Sequence, residues 1–241
     1  MALPPLLSKL SSFGHAVARL SFPGLCAACG QSLPSSSPTC FCIGCRFRMP
    51  ISDMYRHTEN EFTQRLWGRL PLVTGAAYLL FMRSGPVQHM LHQLKYHDKP
   101  EVGHRLGLEF GLKLADSPIF RSVQGIVPVP LHPKKERIRG YNQSLVFAQG
   151  ISDILGIPVL SDALRRSQHT QSQTRKGRLA RHTNVGEVFE LGNVKELQGK
   201  HLLLVDDVLT TGATLEACGS VLLSAPDTRL SSATIAIAVK Q

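Results

Sequence analysis

The segment His201 to Leu223, HLLLVDDVLTTGATLEACGSVLL, constrains the fold more than any other part of the chain. Leu202 to Val205 form a short continuous apolar run, the pattern of a strand buried on both faces in a helix-covered parallel sheet. Asp206 and Asp207 follow at its end. Thr210, Thr211, Gly212, Ala213 and Thr214 then open a helix with Leu215, Cys218, Val221 and Leu222 on one face. In open α/β sheets, ligands bind beyond the carboxyl ends of the strands. A loop of small hydroxyl residues entering a helix offers free backbone N–H groups and the positive end of the dipole to a phosphate, and Gly212 lets the backbone approach closely. Two adjacent carboxylates suit sugar hydroxyls or Mg²⁺, which both take hard oxygen partners. Neither G-x-x-x-x-G-K-[ST] nor G-x-G-x-x-G occurs in the 241 residues. That excludes a P-loop nucleotide hydrolase and argues against a dinucleotide fold.

A second strand signal, Gly125-Ile-Val-Pro-Val-Pro-Leu131, leads into His132, Lys134, Lys135, Arg137, Arg139, Gly140, Tyr141, Asn142 and Gln143. Leu145, Ala148, Ile151 and Leu155 then mark a helix that Gly156 and Pro158 stop. A basic loop with a glycine between a strand end and a helix start is a place where a pyrophosphate can dock. Ala163 to Gly186 carries Arg165, Arg166, Arg175, Lys176, Arg178 and Arg181 without an acid. Its polarity and glycine suggest a mobile arm over the site. Thr74 to Met82 and Ala233 to Val239 read as further strands, and Val87, Met90, Leu91, Leu94 and Leu106, Phe110, Leu114 as two helical stripes. His89, His92 and His97 have no carboxylate-rich partner set and read as surface residues; His132 is the one histidine beside a candidate site.

Five of the six cysteines lie between Cys26 and Cys45. Cys26/Cys29 and Cys42/Cys45 are Cys-x-x-Cys pairs, a spacing that turns two thiolates toward one ion, and two such turns close a tetrahedral site of the kind structural zinc prefers. Gly30 and Gly44 suit tight ligand-bearing turns, and Leu33 to Pro38 reads as the joining loop. Disulfides fit poorly without a secretion signal, and a redox motif needs only one pair on a βαβ unit. Iron–sulfur ligation uses the same thiolates and stays open on spacing alone. Cys40 can stand in for Cys42, but Cys42 restores the symmetric pairing. A four-cysteine site leaves no position for a catalytic water, so its role is structural. Cys218 reads as a small core residue.

Lys and Arg number 27 against 17 Asp and Glu, a net +10, which ranks phosphate-bearing partners above cationic ones. The longest mostly apolar stretch, Leu70 to Met82, falls short of the roughly 18 to 20 residues of a membrane span. The first twenty residues read as an amphipathic helix with Leu6, Leu10, Phe13 and Val17 on one side, rather than as a cleaved signal peptide. A cytoplasmic location is expected.

The string VDDVLTTGAT closely resembles the phosphoribosyl pyrophosphate (PRPP) motif of type I phosphoribosyltransferases. With the paired cysteines, Leu94-Lys95-Tyr96, VPVPLHP and RGYNQ, the chain from about Phe22 to Val239 resembles the ComF family of competence-associated, phosphoribosyltransferase-like proteins. The resemblance implies an α/β fold of the type I phosphoribosyltransferase kind, with a parallel sheet over residues 56–241 and a small zinc-binding module over residues 1–55. It implies that Asp206 and Asp207 hold the ribose hydroxyls directly or through Mg²⁺, and that Thr210 to Thr214 cradle the 5′-phosphate. Lys134, Arg137 and Arg139 are candidates for neutralising pyrophosphate, in a loop with His132, Gly140, Asn142 and Gln143. The arm matches the family's pattern at Gln173, Arg181 and Asn184 and departs from it at Lys176 and Gly177 to Leu179, and Cys40 is an extra. The implied cofactors are structural Zn²⁺ and Mg²⁺ with PRPP. Two function classes follow: transfer of a phosphoribosyl group to an acceptor that the sequence does not specify, with no residue standing out as a general base, or a non-catalytic DNA-handling protein whose PRPP site is a sensor or relic. Single-stranded DNA and other competence proteins are the corresponding partners.

Overall fold

In the computed structural model the described residues are 24–34, 39–82, 85–96, 98–166 and 189–239. The expected N-terminal helix, His97 and the arm residues Gln173, Arg181 and Asn184 lie outside them. The chain runs through α1 (Ile43–Phe47), α2 (Glu61–Leu66), β1 (Gly75–Phe81), α3 (Pro86–Tyr96), α4 (Pro100–Ala115), β2 (Gly125–Pro128), α5 (Pro133–Arg139), α6 (Gln143–Leu155), β3 (Leu164–Arg166), β4 (Phe189–Leu191), β5 (His201–Leu209), α7 (Ala213–Leu222) and β6 (Arg229–Ala238), with three short 3₁₀ turns between. Four strands form a sheet in the order β1-β6-β5-β2, every neighbour parallel. The antiparallel pair β3–β4, in register Arg165↔Glu190, stands apart and packs on α7.

Leu202, Leu203, Leu204 and Val205 are all fully buried. Successive strand residues point to opposite faces, so β5 is covered on both, as its unbroken apolar run requires. The expected helical stripes Val87/Met90/Leu91/Leu94 and Leu106/Phe110/Leu114 are likewise buried. So is Cys218 on α7. Both sheet edges are capped by irregular chain, which removes unpaired backbone from solvent. On the outer side of β1, Leu80 N donates to Pro50 O and Ser52 N donates to Tyr78 O. On the outer side of β2, Ile126 N donates to Pro158 O and Leu160 N donates to Ile126 O.

The helices that brace the sheet cross at glycines. A Cβ at Gly107 of α4 would lie 2.3 Å from Phe147 O, and one at Gly150 of α6 only 2.2 Å from His104 O. The two helix backbones are therefore in direct contact, and that contact sets the position of the α6 N-terminus relative to β5. Among the described residues no helix is long and apolar enough to cross a membrane.

Gly150→Ala tests this crossing. Alanine raises intrinsic helix propensity by about 1 kcal/mol, yet its methyl group meets main chain rather than a flexible side chain. Overpacking of this kind costs about 1–3 kcal/mol, so the variant is expected to unfold at lower denaturant concentration than wild type. An unchanged or raised midpoint contradicts the backbone-to-backbone crossing.

Candidate functional site

The carboxyl end of β5 stands out because the strand's two neighbours stop at different places. β2 pairs with β5 only from Leu202 to Val205, whereas β6 stays paired as far as Leu209. Strand β5 thus extends beyond the expected Val205, and the acidic pair sits within it rather than after it. Val129 N donates to Val205 O at 2.8 Å, so Val205 faces β2 and, two residues on, so does the main chain of Asp207. Among the described residues no strand beyond Pro128 accepts the Asp207 N–H. The Asp206 carboxylate accepts it instead, at 2.8 Å on Oδ1. Ser144 Oγ, in the first turn of α6, donates to the same oxygen at 3.0 Å.

Asp206 is half-buried rather than solvent-facing. Burial, and then the charge of Asp207, push its carboxyl up to about 7, against the two hydrogen bonds and Lys95, which pull it down. Asp207 Oδ2 is 2.7 Å from Lys95 Nζ at the end of α3. That end of α3 is tied down again by Tyr141 Oη, which donates to Leu94 O, and by the Arg139 guanidinium, 5.4 Å from the centre of the Tyr96 ring. Two adjacent carboxylates with a lysine on one of them form a hard-oxygen set that fits sugar hydroxyls or Mg²⁺.

The loop after β5 turns into α7 at Gly212, whose φ of 83° is the left-handed conformation glycine adopts freely. A Cβ there would also lie 2.6 Å from Leu66 Cδ2. Arg65 at the end of α2 and Arg69 in the turn after it hold this loop from outside. Arg65 Nη1 donates to Thr210 O at 3.3 Å and Arg69 Nη1 donates to Thr211 O at 2.7 Å. Arg65 also donates to Ala238 O and pairs with Glu61, and Arg69 pairs with Glu216. In a planar trans peptide the carbonyl and the next N–H point in opposite directions. Pinning the carbonyls of Thr210 and Thr211 toward the arginines therefore turns the N–H groups of Thr211 and Gly212 the other way. Those of Ala213 and Thr214 open α7 with no partner within the helix, and that of Ala213 rests on Thr211 Oγ1 at 3.5 Å. Thr210, Thr211 and Ala213 are exposed and Thr214 is half-buried.

The expected basic loop is instead a seven-residue helix, α5, followed by a tight turn. Pro133 is pre-set for the first helical position, His132 caps it by accepting Lys134 N–H at Nδ1, 3.1 Å, and Gly140, at φ 79°, ends it. The helix separates residues that the sequence groups together. Lys134 and Arg137 are exposed, while Arg139 Nη1 turns inward and donates to Gln143 Oε1 at 2.8 Å. Asn142 caps α6 by accepting Ser144 N–H and donates from Nδ2 to Val129 O at 3.0 Å, tying the turn to the end of β2. Sequence reasoning does not single out Ser144, Lys95, Arg65 or Arg69 for the site. Ser144 and Lys95 lie in the quoted motifs or directly beside them, but Arg65 and Arg69 contact a loop more than 140 residues away, and no local spacing signals that.

The four cysteines of the two pairs come together. The sulfurs of Cys26, Cys29, Cys42 and Cys45 all lie within 4.8 Å of one another, a set that can hold a metal ion. A hairpin-like turn, with Gly30 N donating to Cys26 O and Leu25 bridged to Ser32, presents the first pair. Gly44 lies inside α1, whose N-terminus presents the second pair. Cys42 N donates to Cys26 Sγ at 3.3 Å and Cys45 N donates to Cys42 Sγ at 3.4 Å. Burial disfavours a Cys26 thiolate, but main-chain N–H groups including that of Cys42 outweigh it and lower the thiol to about 7. Cys40 stands outside the cluster, against Glu101 O, and burial raises it to about 11. The spare cysteine is thus Cys40, and Cys42 belongs to the cluster.

Set beside known proteins, residues 142–239 match the phosphoribosyl transferase domain family. Competence protein F of Haemophilus influenzae is 27% identical over 204 residues, which cover 83% of this chain and 84% of that protein. DNA utilization protein YhgH of Escherichia coli is 30% identical over 206 residues, with the same shares of each chain. Among solved structures, the glutamine PRPP amidotransferase from B. subtilis superposes with a TM-score of 0.41 and 18% identity over 60% of this chain and 30% of that one.

The position of Asp206 predicts a pH-dependent stability. Its folded value of about 7 lies above the ordinary 3.8, so the folded ligand-free chain retains a proton that the unfolded chain has released. The stability linked to that proton is fully present below the ordinary carboxylate range and lost as pH rises to about 7. Asp206→Asn cannot ionise and can still accept from Ser144 and Asp207. Ligand-free melting curves are expected to show the variant more stable than wild type at pH 8, with the gap closing toward pH 4. A gap that is constant with pH contradicts the assignment.

Proposed function

The chain belongs to the ComF family of competence and DNA utilization proteins, and on that premise we propose that it binds PRPP with Mg²⁺ at the carboxyl end of β5. The observation that carries the reading is the union, in one strand–loop–helix unit, of a carboxylate pair with a loop whose N–H groups are turned away from two clamping arginines. In this reading the N–H groups of Thr211 to Thr214 and the hydroxyls of Thr210, Thr211 and Thr214 receive the 5′-phosphate at the positive end of α7. Asp206 and Asp207 receive the ribose hydroxyls or the Mg²⁺ that accompanies pyrophosphate. Lys95 is released from Asp207 as the ligand enters and stays close enough to balance its charge. Arg139, anchored on Gln143, which is buried like Asn142, is assigned to the pyrophosphate, and Lys134 and Arg137 on α5, with its cap His132, form the outer part of that subsite.

Bound Mg²⁺ supplies charge neutralisation for departing pyrophosphate. The chain's own part is to orient the sugar through the carboxylates, fix the phosphate at α7, and hold cationic side chains where negative charge collects. An acceptor nucleophile then replaces pyrophosphate at the anomeric carbon. The names of the relatives, competence and DNA utilization proteins, support a role in DNA uptake or use, and in this reading single-stranded DNA or another competence protein is the partner. They equally support a second reading, in which PRPP binding regulates DNA handling without turnover. The cysteine module of residues 1–55 holds structural Zn²⁺, and a cytoplasmic location suits both readings.

Titration calorimetry tests the binding reading. Wild-type protein is expected to bind PRPP with micromolar affinity only when Mg²⁺ is present. The Asp206→Asn/Asp207→Asn double variant is expected to lose binding while keeping its circular dichroism spectrum. Equal binding by the variant, or none by folded wild type, rejects the site. Separately, Cys26→Ser is expected to lose zinc and unfold its module, since structural zinc contributes roughly 10 kcal/mol or more to such folds. Wild-type protein purified without chelators and found free of zinc overturns that assignment.

A further inference from the structure

The cysteine module presents a second feature on the side of α1 away from its thiolates. Ile43 and Phe47, one turn apart on α1, are 85% and 92% exposed. Ile51, also exposed, and Leu112 on α4 stand across a groove of about 420 Å³ floored by Met49 and Tyr78. Large apolar side chains gathered around one concavity, rather than scattered singly, mark an interaction surface. Two apolar residues at i and i+4 facing a third across a groove suit an amphipathic helix laid between them.

Charge selects the occupant. Arg46 and Lys113 line the groove and Arg48 follows Phe47. Among the described lining residues the one carboxylate is Glu109. It already accepts from Tyr78 Oη at 3.0 Å and Arg105 Nε at 3.1 Å and lies 3.8 Å from Arg46. The charge left over at the rim is therefore positive, on a chain of net +10. Residues 1–23 carry Lys9 and Arg19 and no acid, and a second copy brings the same basic rim, so neither complements it. Nucleic acid has the right sign, but of the four exposed apolar side chains Phe47 alone offers a ring for stacking; the other three are aliphatic. We infer that the groove between α1 and α4 is a docking site for an acidic amphipathic helix of a partner protein, separate from the PRPP site.

Two synthetic helical peptides sharing one leucine stripe at i, i+4, i+7 and i+11 spacing test this, one with glutamates and one with lysines at the remaining positions. Fluorescence anisotropy with full-length, zinc-loaded protein is expected to show the acidic peptide binding about tenfold tighter than the basic one. Phe47→Ser and, on the other wall, Leu112→Ser are each expected to weaken it about tenfold with zinc content unchanged. Absence of acidic-peptide binding, equal binding of both peptides, or indifference to both substitutions overturns the proposal. An oligothymidylate that binds wild type and is lost in Phe47→Ser reassigns the surface to nucleic acid. A dimer that dissociates in Phe47→Ser reassigns it to a second copy.

Discussion

Strand β5 is hydrogen-bonded on both sides through Val205 and on one side beyond it, and the site follows from that single inequality. A parallel strand that outlasts a neighbour leaves main-chain groups facing a gap. Here the gap is closed by the Asp206 side chain bonding the Asp207 N–H, which fixes one carboxylate against its own strand. The same gap is where α5 and the first turn of α6 follow from the end of β2, tied to it by Asn142, so Ser144 reaches Asp206 without any long excursion of the chain. The glycine-mediated crossing of α4 and α6 holds that first turn in place.

Electrostatically, the two adjacent carboxylates oppose each other. Asp206 is half-buried next to a second carboxylate, and its acid strength is reduced accordingly. Lys95 offsets part of this through Asp207. In the proposed reading a divalent cation or a set of hydroxyl donors relieves the same tension, so the cost of burying the pair becomes part of the affinity for that ligand. On the opposite side of the loop, Arg65 and Arg69 act by geometry: they take the carbonyls, and peptide planarity does the rest.

Much of this is legible in the sequence, for identifiable reasons. The run Leu202 to Val205 reads as a strand buried on both faces, and the small-residue loop after it announces a helix start. The helical spacing of Val87, Met90, Leu91 and Leu94 in α3 marks a core-facing stripe, and all four are buried. The two Cys-x-x-Cys pairs specify their own cluster, though only the fold distinguishes Cys42 from Cys40. The residues from His132 to Gly140 read as loop because a run so polar shows no apolar period, and α5 indeed buries none of its side chains; its caps, His132 and Gly140, are the signal that such a reading misses. The sheet order and the arginine clamp are not legible, since both depend on contacts between segments far apart in the chain.

Hydrogen–deuterium exchange of the full-length protein with and without PRPP and Mg²⁺ tests the central claim most directly, because it reports where the ligand sits as well as whether it binds. Slowed exchange is expected in the peptide spanning Asp206 to Glu216 and around Lys95 and Ser144, with the cysteine module unchanged. Binding that leaves Asp206 to Glu216 unprotected, or that protects another surface in its place, contradicts the account.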